Sequence, residues 1–361
     1  MATAPATTPS DRDPRDPAPL LGTWLTRGRE GLLTACTPGE DAVRRWTQKG
    51  NGWKGPDLLP APGVRAPLTV AQGADNYIHL LGTRLTPAGQ VELVHAVQLQ
   101  TGRPLLGWTA LGYPNKTDRR TGDPVAAVDG EGRLCVALRN RGSGVSVRCQ
   151  QTRGGWARWQ DLGGVGTRDT LAAAVDGTGL VELFVPDATS IGRYTQEKPG
   201  AAFALAERLE TAVGSGSFAA LASADGTVSL FFPDEEGMIH VWAPHRGQDP
   251  RPLLKAAGPG PLVPARLLVD GRDCTVLAQE TGGGEVAFAV LPSEDEGEAE
   301  GAGAGWTPTA PGAGRGLALA LREHREGGLV AMALPPGGEP LAARQTTGEG
   351  GPAFGRWEPL G

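Results

Sequence analysis

Hydrophobic residues along this chain come in short runs, such as PVAAV, RLCVAL and VSLFF, bounded by Asp-Gly, Gly-Gly or Gly-Thr pairs. Short apolar runs between turn residues mark strands, because Gly and Asp favour turn conformations over strand interiors. No long stretch carries the 3.6-residue periodicity of an amphipathic helix. The pattern predicts an all-β chain. Composition agrees, since 55 Gly and 31 Pro among 361 residues would break helix interiors.

The runs also recur. Segments of the form AAV-D-G-x-G-x-L begin at Val125, Leu171 and Phe218, with weaker copies at Leu268 and Leu317. Each leads through two further β runs into a closing segment related to W-x-x-W-x-x-LGG. The best copy is Trp156, Trp159, Leu162, Gly163 and Gly164; others are Leu105, Trp108, Leu111 and Gly112, and Phe354, Trp357, Leu360 and Gly361. Trp53 with Leu58, Phe203 with Leu209, and Trp306 are partial copies, and the one near RPLLKAA has lost its aromatics. The units span 20–65, 66–122, 123–169, 170–216, 217–262, 263–315 and 316–361. A period of about 45–50 residues with four short strands per unit is that of a propeller blade. The expected fold is a seven-bladed β-propeller of four-stranded antiparallel blades, bracketed by six and eight, as a single domain over 20–361. Residues 1–19, rich in Pro, Ala, Thr and Asp, read as a disordered lead-in.

Finer features fit this plan. The innermost runs, VAAVD, LAAAVD and FAALAS, are rich in alanine, which suits strands crowded around an axis. Asp129-Gly130 and Asp176-Gly177 stand at equivalent turns, where glycine is expected to supply a positive φ. Trp108, Trp156, Trp159 and Trp357 are expected first to pack across blade interfaces. Counting back from the closing aromatics aligns Arg45, His95, Arg148, Arg193, His240 and Arg344 on the third strands, with Phe288 as the exception. These are expected to pair with a neighbouring blade's carboxylates or to reach outward.

Charge narrows the partners. The net charge is −6, and the run SEDEGEAE (293–300) holds five of the acids, so the remainder is nearly neutral. Nucleic acid is not an expected partner without a basic excess; NKTDRR (115–120) reads as a solvated loop. No run is long enough to span a bilayer, and the amino terminus lacks the apolar core of a secretory signal. The expected location is cytoplasmic, with release by a non-standard route left open. Cys36, Cys135, Cys149 and Cys274 show no CxxC spacing and are expected as buried free thiols, Cys135 and Cys149 being the one pair on neighbouring predicted strands.

Seven such repeats in this length resemble the PLL-type bacterial lectins, tectonin-like seven-bladed propellers that bind fucose and related sugars. The resemblance covers 20–361 in period and strand pattern and is strongest in GEGRLCVALRNRGSGVSVRCQQTRGGWARWQDLGG. It implies a non-catalytic, carbohydrate-binding protein whose partner is a small fucose-like saccharide or glycan, held near aromatics at blade boundaries. The residues offer the chemistry, since a sugar's C–H face stacks on an indole while its hydroxyls need polar partners. Candidate ligand residues are Trp46, Trp53, Trp108, Tyr113, Trp156 and Trp159, with Arg158 and Asp161 beside the last pair. The boundaries among blades one, two and three are favoured; that between five and six is least favoured.

An enzyme remains the alternative. His79, His95, His240, His245 and His324 show no His-x-x-x-His or Glu-x-x-His spacing, so neither a metal nor a cofactor is expected. ADNYIH (74–79) joins Asp75, Asn76, Tyr77 and His79, a set with the groups for acid–base catalysis. The competing reading is a β-turn followed by a strand histidine. Because at least two blades have diverged, the runner-up is an intracellular propeller enzyme of specialised metabolism, tailoring or cyclising, with one site at the end of the central axis.

Overall fold

The computed structural model describes residues 20–87, 91–115, 122–214, 218–247, 249–269, 271–293, 305–348 and 351–360. The lead-in 1–19, nearly all of NKTDRR and nearly all of the acidic run lie outside them. Seven four-stranded antiparallel sheets form a ring, a seven-bladed β-propeller. The blades occupy 25–60, 64–112, 125–163, 172–210, 219–255, 262–309 and 318–359. Each runs from an inner strand outward, as in blade three with Val125–Val128, Leu134–Arg139, Val145–Cys149 and Gln160–Gly163.

A single blade cannot bury both of its faces, and the ring solves this by sharing. Val136 and Leu138 of blade three meet Leu81 and Leu93 of blade two. Phe184 of blade four meets the indole of Trp242 of blade five edge-on, their centroids 6.0 Å apart. One cluster joins blades seven, one and two, with Met332, Trp46 and Leu80 all fully buried. The ring closes without strand exchange, since all strands of blade seven come from 318–359. Trp24, just ahead of blade one, instead donates its indole N–H to the Leu319 carbonyl of blade seven at 3.0 Å. The strand Leu20–Gly22 adds in parallel to the inner edge of blade two, Leu20 opposite Leu68.

The inner turns correct one expectation. Gly130 and Gly177 do not carry the positive φ; Gly132 and Gly179 do, at 80° and 86°. Gly130 is needed for a different reason: a Cβ there would lie 2.8 Å from the Gly179 Cα of the next blade. The amide of Gly130 donates to the Gly179 carbonyl at 2.9 Å, and Gly177 donates likewise to Gly226 at 2.8 Å. Inner turns of blades three, four and five thus touch backbone to backbone.

The cysteines bring a second correction. Cys135 and Cys149 are not free thiols but a disulfide. They sit directly opposite one another in the register of the second and third strands of blade three, which brings their side chains to one face. Cys36 and Cys274 are buried thiols outside any disulfide; burial pushes the Cys36 thiol up to about 12.

Candidate functional site

The third-strand cations do not all share one register: Arg45, His95 and Arg193 oppose the fourth residue of the second strand, whereas Arg148, His240 and Arg344 oppose the third, fifth and second. Arg45, His95, Arg148, Arg193, His240 and Arg344 oppose Cys36, Leu81, Val136, Phe184, Phe232 and Val330 on the second strands. Their partners differ from expectation. Arg45 pairs with Asp57 at 2.7 Å, Arg193 with Glu182 at 2.6 Å and His240 with Asp234 at 2.9 Å, each within its own blade. Across to a neighbouring blade, Arg45 donates to the Arg103 carbonyl of blade two and Arg148 to the Leu111 carbonyl, while Arg193 Nη2 lies 2.6 Å from His245 Nε2 of blade five.

Arg148 organises the boundary between blades two and three. The loop after its strand turns tightly through Gly154 and Gly155, at φ 83° and 77°, which brings Trp156 back beside Gln150. Arg148 also donates from Nε to the Ala157 carbonyl at 2.6 Å. Its guanidinium carbon then stands 5.9 Å from the ring centroids of both Trp156 and Trp159, a cation–π clamp on two indoles. Desolvation lowers the Arg148 pKa from its ordinary value. On the other side, His95 of blade two meets Trp156 edge-on with centroids 5.5 Å apart, and stacks on His79 at 5.2 Å. The two imidazoles share a 3.0 Å contact between His79 Nδ1 and His95 Nε2. Burial pushes them down to about 3 and about 4, so both are neutral near neutral pH. Tyr113 packs into the same cluster, and Trp156, Trp159 and Tyr113 are all half-buried.

The closing tryptophans form a recurrent tie that sequence alone does not reveal. Trp108 donates its indole N–H to the Pro60 carbonyl of blade one at 3.1 Å. Trp306 donates to the Lys255 carbonyl of blade five at 2.7 Å, and Trp357 to the Thr309 hydroxyl of blade six at 3.0 Å. Trp159 stands at the position of Trp108 and Trp357, yet its Nε1 is buried with no hydrogen-bond partner among the described residues. Blade three therefore carries an unspent donor where its counterparts are tied to the blade before.

The remaining predicted residues divide. Asp161 is exposed and accepts from Gly163 N at 3.0 Å and Asn140 Nδ2 at 3.3 Å, on the outer strand of blade three; Arg158 is exposed beside it. Trp53 is half-buried against the blade one cluster, with Trp108 nearby in the same cluster. Trp46 is fully buried, so its ring packs the core and offers no face to a ligand. ADNYIH takes the turn form: Asp75 Oδ1 accepts the Tyr77 N–H at 3.0 Å, Asn76 has φ 66°, and His79 is a buried strand residue. Asp75 is spent on the turn and His79 faces His95, so the run is not gathered into a catalytic set. A cleft of about 290 Å³ lies instead between blades five and six, lined by Asp234, Glu235, Glu236, Ile239, Leu262 and Gln279, with no aromatic ring in its described lining.

No protein-family model matches the chain, and no curated protein sequence matches it. Solved structures do. A protein from Lactobacillus plantarum superposes with a TM-score of 0.61 at 12% identity, covering 93% of this chain and 95% of that one. A variant of the Aleuria aurantia lectin in complex with Fucα1-6GlcNAc gives 0.50 at 12% identity, over 83% of this chain and 98% of that one. The Hadza microbial sialidase Hz136 gives 0.50 at 14% identity, over 76% of this chain and 66% of that one. At these identities the likeness is one of fold, and it spans both sugar-binding and sugar-cleaving propellers.

Proposed function

We propose that this propeller binds a small, fucose-like saccharide, without catalysis, at the boundary of blades two and three. The observation that carries the reading is the pair of half-buried indoles held by Arg148, Trp156 and Trp159, the second with its N–H unspent. A sugar brings an apolar C–H face for such rings and hydroxyls for such a donor, and Arg158 and Asp161 supply polar groups at the rim. Specificity of this kind comes from satisfying a buried polar group that the wrong ligand leaves unpaired. The lectin among the structural neighbours supports the class of ligand by analogy of fold only. A disulfide such as Cys135–Cys149 persists in an oxidising compartment, which supports a working site outside the reducing cytosol.

A glycan array followed by calorimetric titration with methyl α-L-fucoside tests this. Trp156→Ala is expected to abolish binding, while Trp159→Phe keeps an aromatic ring, loses the N–H and weakens binding about tenfold. An array without saturable binding, or unchanged affinity in both variants, would overturn the reading.

A further inference from the structure

We propose that Asp176, Glu182 and His245 form a binding site for a divalent transition metal ion of the zinc type, between blades four and five. The three residues come from separate elements. Asp176 follows the inner strand Ala172–Val175 of blade four, and Glu182 lies on the second strand Val181–Pro186. His245 sits in the short turn Pro244–Arg246 of blade five. One oxygen or nitrogen from each lies within 4.8 Å of the others.

Burial makes the cluster unusual. The Glu182 side chain is 1% exposed, and a carboxylate taken out of water must be compensated on both oxygens. Arg193 Nε serves Oε2 at 2.6 Å. Oε1 faces His245 Nε2 at 2.5 Å, and that same Nε2 lies 2.6 Å from Arg193 Nη2. One ring nitrogen carries either a proton or a lone pair. With a lone pair it accepts from Arg193 and turns that pair against the carboxylate; with a proton it donates to Glu182 and opposes the Arg193 N–H. One of the two contacts is repulsive in either state.

A cation resolves the conflict between Oε1 and Nε2, with Arg193 Nη2 swinging off Nε2, because a metal-bound nitrogen accepts no hydrogen bond. Oε1 and Nε2 then both direct lone pairs at the ion, separating to accommodate metal bonds of about 2 Å each. Arg193 remains on Oε2, the supporting position in which ligating carboxylates are commonly hydrogen-bonded. Asp176 is already oriented, because its Oδ1 accepts from Thr178 N, Thr178 Oγ1 and Leu180 N. Two carboxylates against one guanidinium leave the pocket with a net negative charge, which the ion reverses. The His245 side chain is 37% exposed and marks the entry path. One imidazole with two carboxylates favours zinc-type ions over calcium, and three protein ligands leave a position open to water or a ligand oxygen.

The test uses the full chain, stripped with chelator and titrated calorimetrically with ZnCl2. The expected result is one saturable equivalent, with affinity at least about tenfold weaker in both His245→Ala and Asp176→Asn. Both substituted side chains are partly exposed, and circular dichroism checks that the variants fold. Trp156→Ala is expected to leave the zinc affinity unchanged, which separates this site from the saccharide site. Absence of saturable zinc binding, equal affinity in His245→Ala, or equal competition by CaCl2 would each overturn the proposal.

Discussion

Trp24 and Leu319 lie 295 residues apart in sequence, and a 3.0 Å hydrogen bond from the indole N–H to the carbonyl joins them across the first and last blades. The bond is buried and links the segment ahead of blade one to the inner strand of blade seven. Trp24→Phe keeps most of the packing but strands the Leu319 carbonyl. A loss of about 1–3 kcal/mol is expected from the urea midpoint, with an unchanged denaturant slope.

The buried His79–His95 pair sets a pH dependence. Both folded-state values lie below the ordinary 6.5, so the unfolded chain binds protons that the folded chain does not. Their contribution is complete above about pH 6.5, falls as pH drops and levels off near pH 3–4. His324, also lowered by burial, adds in the same direction. Urea midpoints measured between pH 7 and 4.5 are expected to fall, and His95→Gln is expected to flatten that fall. An unchanged slope in the variant would show that the pair is not the source.

Thiol counting distinguishes the disulfide directly. In denaturant without reductant, two thiols are expected, those of Cys36 and Cys274; with reductant, four. The double variant Cys135→Ala, Cys149→Ala closes no loop in the unfolded state. With the cysteines 14 residues apart, its expected cost is about 3 kcal/mol or less.

Gly130 offers a test of the backbone contacts between inner turns. An alanine methyl would lie 2.8 Å from the Gly179 Cα, and a rigid backbone neighbour cannot swing aside. Gly130→Ala is expected to destabilise by about 1–3 kcal/mol. Gly154→Ala has nothing within 4 Å but sits at φ 83°, so a cost of about 1 kcal/mol is expected from conformation alone. Thermal denaturation of the two variants side by side measures the difference.

Much of the architecture was legible along the chain, and particular residues show why. Trp156, Trp159 and the glycines around them repeat because every blade must cover its neighbour in the same way. A requirement repeated seven times leaves a period. Chemistry that occurs once leaves none. Asp176, Glu182 and His245 belong to two blades and share no spacing, and the donor of Trp159 looks identical in sequence to those of Trp108 and Trp357. Trp46 and Trp53 are indistinguishable as letters, although one is fully enclosed and the other is not.

The sequence by itself determined strand, turn and blade count, because short apolar runs, Gly-rich turns and repeat length are local properties that every unit must obey. Only the tertiary structure decided which face of each blade meets which, and with it every contact across a boundary. Those contacts tied three indole N–H groups to the blade before and left the fourth unpaired. Strand register within blade three joined Cys135 to Cys149, and the boundary between blades four and five set His245 against a buried Glu182. Burial and pairing depend on what the ring brings together, and a linear pattern carries no record of its neighbours in space.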